Sequence, residues 1–487
     1  MVTPQDKTPS ARSTRWWALS VASMATLVVT ADSGQLSIAL PVIIREFNAD
    51  ITLAGWIALV YALVTASLYM PCGRLSDLVG VGRLFKIGFL IYSASSLAAG
   101  LSQGAEQLVF FRSLQGVGSA LIMANNFALV TALFPPEERG RAMGIAGGSV
   151  SALGYSLGPV IGGLVTHALG WRANFYLSAA LAVIGFAAAR SLLPPQTLKG
   201  STTRRAPFDF TGAAAFSLSI SLLLVALTTA QKGSWHEPRI IIEFAGGIVA
   251  LAFFILWEKR CRDPLLDLVL FRIPAFTLGN AARWISFVTM SVHNLLMPFF
   301  VQSVMGLDPL RAGLLVAPTP LAMAFMAPVA GWLSERYLPE RLGALGLATT
   351  AIASMGLSFL QPEATALEVI FCLALIGLGM GIFQTPNNNL LMSSVPRERL
   401  GISSSFLSIV RSVGYSTGAA LGATIVSAQL VRVTGQTSLQ NLHGPAGLSN
   451  AGPILEAFLV GFRYACLTAG VICFIGAALS AIRVSRR

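Results

Sequence analysis

Apolar stretches of about 20 residues follow one another along this entire chain, separated by short polar connections. Each is long enough to cross about 30 Å of hydrocarbon as a helix. That recurrence excludes a soluble globule. Only 11% of the 487 residues are charged, against about 25% in ordinary soluble domains. The chain therefore reads as an all-α polytopic membrane protein.

Fourteen spans fit the pattern: 16–41, 53–72, 84–102, 106–133, 141–168, 173–193, 209–230, 239–257, 275–303, 311–334, 342–361, 366–386, 400–428 and 458–483. The first is far longer than a signal-peptide core and is expected to be retained. With a cytoplasmic N-terminus, 23 of the 33 Lys and Arg residues fall in inside segments and seven in outside ones. That bias is the one the positive-inside rule asks for. It places both termini in the cytoplasm and accounts for the net charge of +12 without nucleic acid. Arg112, Arg283 and Arg411 remain within spans. The five cysteines have no metal-ligand spacing.

The chain also repeats itself. Pro136, Arg139, Gly154, Tyr155, Gly158 and Gly162 return as Pro396, Arg399, Gly414, Tyr415, Gly418 and Gly422, at an offset of 260. Gly73-Arg-Leu-Ser-Asp77 returns as Gly331-Trp-Leu-Ser-Glu335, at 258. Such a repeat implies two similar halves about an axis along the membrane normal, a transporter architecture with its site between them. The expected division is a six-helix bundle at 16–193, two inserted helices at 206–258 and a second six-helix bundle at 275–483.

Asp32 lies near the middle of the first span. A charge there costs about 2.5–3.5 kcal/mol on the lenient insertion scale, so such groups usually bind an ion or proton or face a buried cation. Arg112 lies at similar depth by residue count, and Gln115 is one turn away, placed to orient it. Burial raises a carboxylate's proton affinity and a nearby guanidinium lowers it. A motion that alters either effect changes proton binding, although a structural ion pair joining spans one and four explains the same residues.

Gly73, Asp77, Gly80 and Arg83 sit in the connection after span two, where glycines allow a tight turn. Asp77 is expected to accept from a neighbouring helix N-terminus or to pair with Arg83, as an inner latch. Gly154, Gly158, Pro159, Gly162 and Gly163 suit close packing and a bend in span five. Gln35, Asn126, Tyr155, Arg283, His293, Asn294, Asn387 and Arg411 are candidates for a substrate cavity, with interhelical hydrogen bonding as the plainer reading.

Gly73, Leu75, Asp77 and Gly80 resemble the loop between helices two and three of the major facilitator superfamily. The basic positions after Asp77 differ, being Leu78, Val81 and Gly82, with Arg83 one place late. Asp32 with Ile38-Ala-Leu-Pro41, Arg112-Ser-Leu-Gln115-Gly-Val-Gly118, and Gly154 through Gly163 are similar to signatures of its fourteen-helix drug:proton antiporter branch. The resemblance implies that fold, two six-helix bundles plus two extra helices, and proton-driven export of small lipophilic or amphiphilic compounds. A lipid or lipid-conjugate exporter and a non-transporting sensor stay open as alternatives. No Gly-x-x-x-x-Gly-Lys-Ser/Thr run occurs, so ATP is not expected to drive it directly. No enzyme activity, cofactor or metal is expected. The expected partners are a small-molecule substrate, protons and the lipid bilayer, with the protein a monomer in a bacterial plasma membrane.

Overall fold

The computed structural model describes all residues except 1–8, 48–50, 194–207, 231–236, 262, 308, 397–398, 435–451 and 483–487. No strand occurs among the described residues. The α-helices are α1 (Pro9–Phe47), α2 (Ile51–Val79), α3 (Val81–Gly100), α4 (Ala105–Leu133), α5 (Pro136–Met143), α6 (Val150–Leu169) and α7 (Arg172–Leu192). They continue as α8 (Phe210–Ala230), α9 (Pro238–Glu258), α10 (Pro274–Phe299), α11 (Pro309–Val316) and α12 (Pro318–Ser334). The last are α13 (Pro339–Leu357), α14 (Ala366–Ser393), α15 (Leu400–Thr434) and α16 (Gly452–Ala481). Among the described residues, eight helices are long and apolar enough to cross a membrane by length and composition, nine if the bent run through α5 and α6 counts as one. Prolines in the first turn start α9, α10, α12 and α13, where the missing N–H costs nothing.

Helix boundaries depart from the sequence reading in four places. The charged stretch Gly73–Val79 is the helical end of α2, and the turn falls at Gly80, whose φ of 113° suits glycine. α2 accommodates Pro71 in its interior and runs on beyond its apolar part as far as Val79. Span five is α5 and α6 joined by a π-helical segment, Gly144–Ser149, within a glycine-rich run. Span ten is divided between α11 and α12. The expected loop at 429–457 gives way to helix as far as Thr434, and 435–451 lie outside the described residues. The Lys199, Arg204 and Arg205 connection lies outside them too.

The repeat in the sequence reappears as a repeat in packing. α3 against α4, α2 against α4, α1 against α6 and α3 against α7 correspond to α13–α14, α12–α14, α10–α15 and α13–α16. The glycines explain the closest of these contacts. A Cβ on Gly158 would lie 2.6 Å from the Ala31 carbonyl oxygen, and one on Gly162 would lie 2.5 Å from the Cα of Gln35. Gly414 and Gly418 meet Trp284 and Val288 in the same way. α8 and α9 pack on each other, with α8 also against α2 and α15.

At the end of the bundle where α1 begins and α16 ends, the halves are closed together. One continuous apolar cluster there joins residues of α2 to α5 with residues of α14 and α15. At the opposite end the apolar clusters are separate. One lies within the first half, around Trp171 and Phe175, and the other almost wholly within the second, around Phe300, Phe458 and Phe462.

Candidate functional site

Asp32, Arg112 and Gln115 form one buried network between α1 and α4. The Arg112 Nη1 donates to Asp32 Oδ2 at 2.6 Å and to Gln115 Oε1 at 2.6 Å, while Gln115 Nε2 donates to Asp32 Oδ1 at 3.0 Å. Gln115 Nε2 also reaches Ser96 Oγ on α3 at 2.9 Å, and the guanidinium lies 4.3 Å from the centre of the Tyr61 ring on α2. Asp32 is 3% exposed and Arg112 1%. Both carboxylate oxygens accept from N–H donors, which offsets the loss of water. Four helices of the first half, α1 to α4, thus meet at one network around Asp32.

The latch residues sit at the closed end. Asp77 Oδ1 accepts from the Gly401 N–H at 2.9 Å and Oδ2 from Ile402 at 3.3 Å, at the N-terminus of α15, where helix dipole and free N–H groups favour an anion. Of the two partners expected for Asp77, the helix N-terminus is the one these bonds show, and Arg83 is exposed. The second half supplies the mirror contact: Glu335 Oε1 accepts from the Arg141 N–H at 3.1 Å. Burial holds the Glu335 carboxyl above its ordinary value, opposed by the Arg141 N–H and charge. Backbones touch at both crossings. A Cβ on Gly73 would lie 2.6 Å from the Gly401 carbonyl oxygen, and one on Gly331 2.6 Å from that of Gly140.

Between the halves lies a cavity, part of it open to solvent. α4, α6, α10, α12, α14 and α15 line it, and α8 and α9 contribute no lining residue. Of the cavity candidates, Tyr155, Arg283 and Arg411 line it. Asn294 is exposed and bonds to the lining residue Tyr415.

The others turn away, each because a nearer partner captures it. Gln35 accepts from Ser178 on α7 at 3.2 Å, and Asn126 donates to Thr26 at 2.8 Å. Asn387 donates to the Gly279 carbonyl at 3.2 Å. His293 Nε2 lies 2.9 Å from Ser354 Oγ, inside the second bundle. The polar lining residues outside the candidate set are Ser151, Gln384, Asn388 and Tyr415. The repeat pairs Tyr415 with Tyr155, so that one was signalled.

No group of three or more His, Cys, Asp or Glu side chains among the described residues is arranged to hold a metal ion.

Known proteins agree with this architecture. The model of the Major Facilitator Superfamily matches residues 22–419. The chain is 30% identical to the riboflavin transporter RibZ of Clostridioides difficile, over 83% of this chain and 87% of that protein. It is 30% identical to the multidrug resistance protein Stp of Mycobacterium tuberculosis, over 86% and 77%. The multidrug efflux pump LfrA of Mycolicibacterium smegmatis is 28% identical, over 92% and 87%. With a family model covering most of its length and a repeated bundle closed at one end around a central cavity, this multi-pass membrane transporter belongs to the major facilitator superfamily.

Proposed function

We propose that the protein is a proton-coupled antiporter that exports small amphiphilic compounds by alternating access. The observation that carries this reading is the Asp32–Arg112–Gln115 network. It is a charge held at membrane depth in the half that does not supply the cavity's own charges, as intramembrane proton relays are. Shifting α1 against α4 exchanges the guanidinium for a proton as the partner of Asp32, so proton binding and helix arrangement become linked. The basic-residue bias supports a cytoplasmic closed end, which makes the present arrangement outward-open. Export is supported by the multidrug relatives.

The experiment is transport in proteoliposomes under an imposed pH gradient, across a panel of aromatic dyes of either charge. Gradient-dependent movement that a protonophore abolishes supports the reading. Movement that persists unchanged without a gradient contradicts it.

A further inference from the structure

The cavity between the halves carries positive charge and no acid. Arg283, on α10, is 2% exposed. Its Nε donates to the Leu407 carbonyl at 3.1 Å and its Nη1 to Asn388 Oδ1. Arg411, on α15, is half-buried and donates to the Tyr69 hydroxyl at 3.3 Å. Both line the cavity, close enough for their like charges to repel. Among the described residues neither makes an ion pair, and no Asp or Glu lines the cavity. A guanidinium carries five N–H donors, and these bonds occupy two on Arg283 and one on Arg411. The Gln384 side-chain nitrogen, also at the cavity, is a buried donor with no partner. Two charges and a free amide donor therefore line one cavity that holds no carboxylate to pair with them.

We propose that this cavity binds organic anions, aromatic amphiphiles carrying a carboxylate, sulfonate or phosphate group. The inference rests on the efflux reading for direction and energy, and adds the class of substrate. Buried charges are normally paired, and here the ligand supplies the missing partner. An oxyanion takes two parallel N–H bonds from a guanidinium. The walls suit the rest of the molecule: Phe287 lies 5.0 Å and Phe127 5.8 Å from the Arg283 guanidinium, and Tyr155 and Tyr415 complete an aromatic lining. A cationic drug would face two like charges with no carboxylate to offset them. The charge balance of the cycle follows. One proton entering and one monoanion leaving move two charges in the same electrical direction, so an interior-negative potential drives export even without a pH difference.

The test compares two dyes built on one xanthene ring system, anionic carboxyfluorescein and cationic rhodamine 6G, by equilibrium binding to the purified full chain in detergent. Carboxyfluorescein is expected to bind at least tenfold more tightly. Arg411→Gln is expected to weaken it tenfold or more without lowering the melting temperature, Arg411→Lys to retain part of the affinity, and Arg239→Gln, at an exposed position, to change nothing. Arg283→Gln is expected to act alike; should it fail to fold, Arg411→Gln carries the test. Equal or tighter rhodamine binding, no carboxyfluorescein binding, or wild-type carboxyfluorescein affinity in Arg411→Gln would overturn the proposal. The two readings fail separately. Carboxyfluorescein that binds but is not moved by a proton gradient contradicts efflux and leaves the anion site standing. Rhodamine that is moved while carboxyfluorescein is not bound does the reverse.

Discussion

The two halves share a backbone plan and divide their charges in opposite ways. In the first, the buried guanidinium of Arg112 is locked to Asp32 and Gln115, away from the cavity. In the second, Arg283 and Arg411 face the cavity with no acid among the described residues. Matched glycine contacts show what stands in each place across the repeat. Gly158 packs on Ala31 and Gly418 on Val288, so Thr289 occupies the position of a second Asp32. Leu373 stands where the repeat puts a second Arg112, and Ser151 where it puts a second Arg411. Glycines that set helix distance appear in both halves, while the charges appear in one half each. Helix packing is thus duplicated and the chemistry is divided.

The comparison is broken most forcefully by removing one partner of the closed pair. Arg112→Ala strands a buried carboxylate and is expected to cost about 3–5 kcal/mol of stability, read as a large fall in melting temperature. Arg411→Gln breaks no ion pair and should leave the melting temperature at or above that of the wild type. Equal losses in the two variants would erase the distinction between halves.

Building the missing pair sharpens it. Thr289→Asp places an unpartnered acid in the second bundle and is expected to cost about 2.5–3.5 kcal/mol. Adding Leu373→Arg should recover more than half of that loss. No recovery would show that the two bundles are not equivalent at this depth.

A smaller effect is expected from the shared packing. Gly158→Ala puts a methyl 2.6 Å from the Ala31 carbonyl and should cost about 1–3 kcal/mol by overpacking. Gly163→Ala meets Ile38 at 3.7 Å and should be tolerated.

The smallest effect is at the latch. Burial raises Glu335 above its ordinary value of 4.5 while the end is closed, so the closed form holds a proton that the released form gives up. Closure is then favoured most below that value, and the advantage is lost as pH rises through the raised one. Spin-label distances across this end should lengthen slightly with pH over that interval, and Glu335→Gln should flatten the response.

What could be read from the chain follows from what is costly. An acid in the middle of an apolar helix demands a partner, so Asp32 points to Arg112 in the sequence itself. The doubled glycines gave the paired halves for a similar reason, since close helix approach tolerates few other residues. Helix rotation was harder. α14 has no polar face to fix its phase, and adjacent Asn387 and Asn388 point to the Gly279 carbonyl and to the cavity respectively. Gln35 and His293 looked like cavity groups by depth alone, but depth does not say which way a side chain turns. The α2 extension was missed because its charges read as a loop, although a helix keeps its hydrogen bonds beyond the bilayer.

The central claim is that the closed charge pair, distinct from the cavity charges, couples transport to protons. The most direct measurement is substrate movement by Asp32→Asn in proteoliposomes under an imposed pH gradient, with folding verified by thermal melting. The account predicts a folded protein that still binds substrate and has lost gradient-driven movement. Wild-type, pH-dependent movement by that variant would contradict it, leaving Asp32 a structural acid.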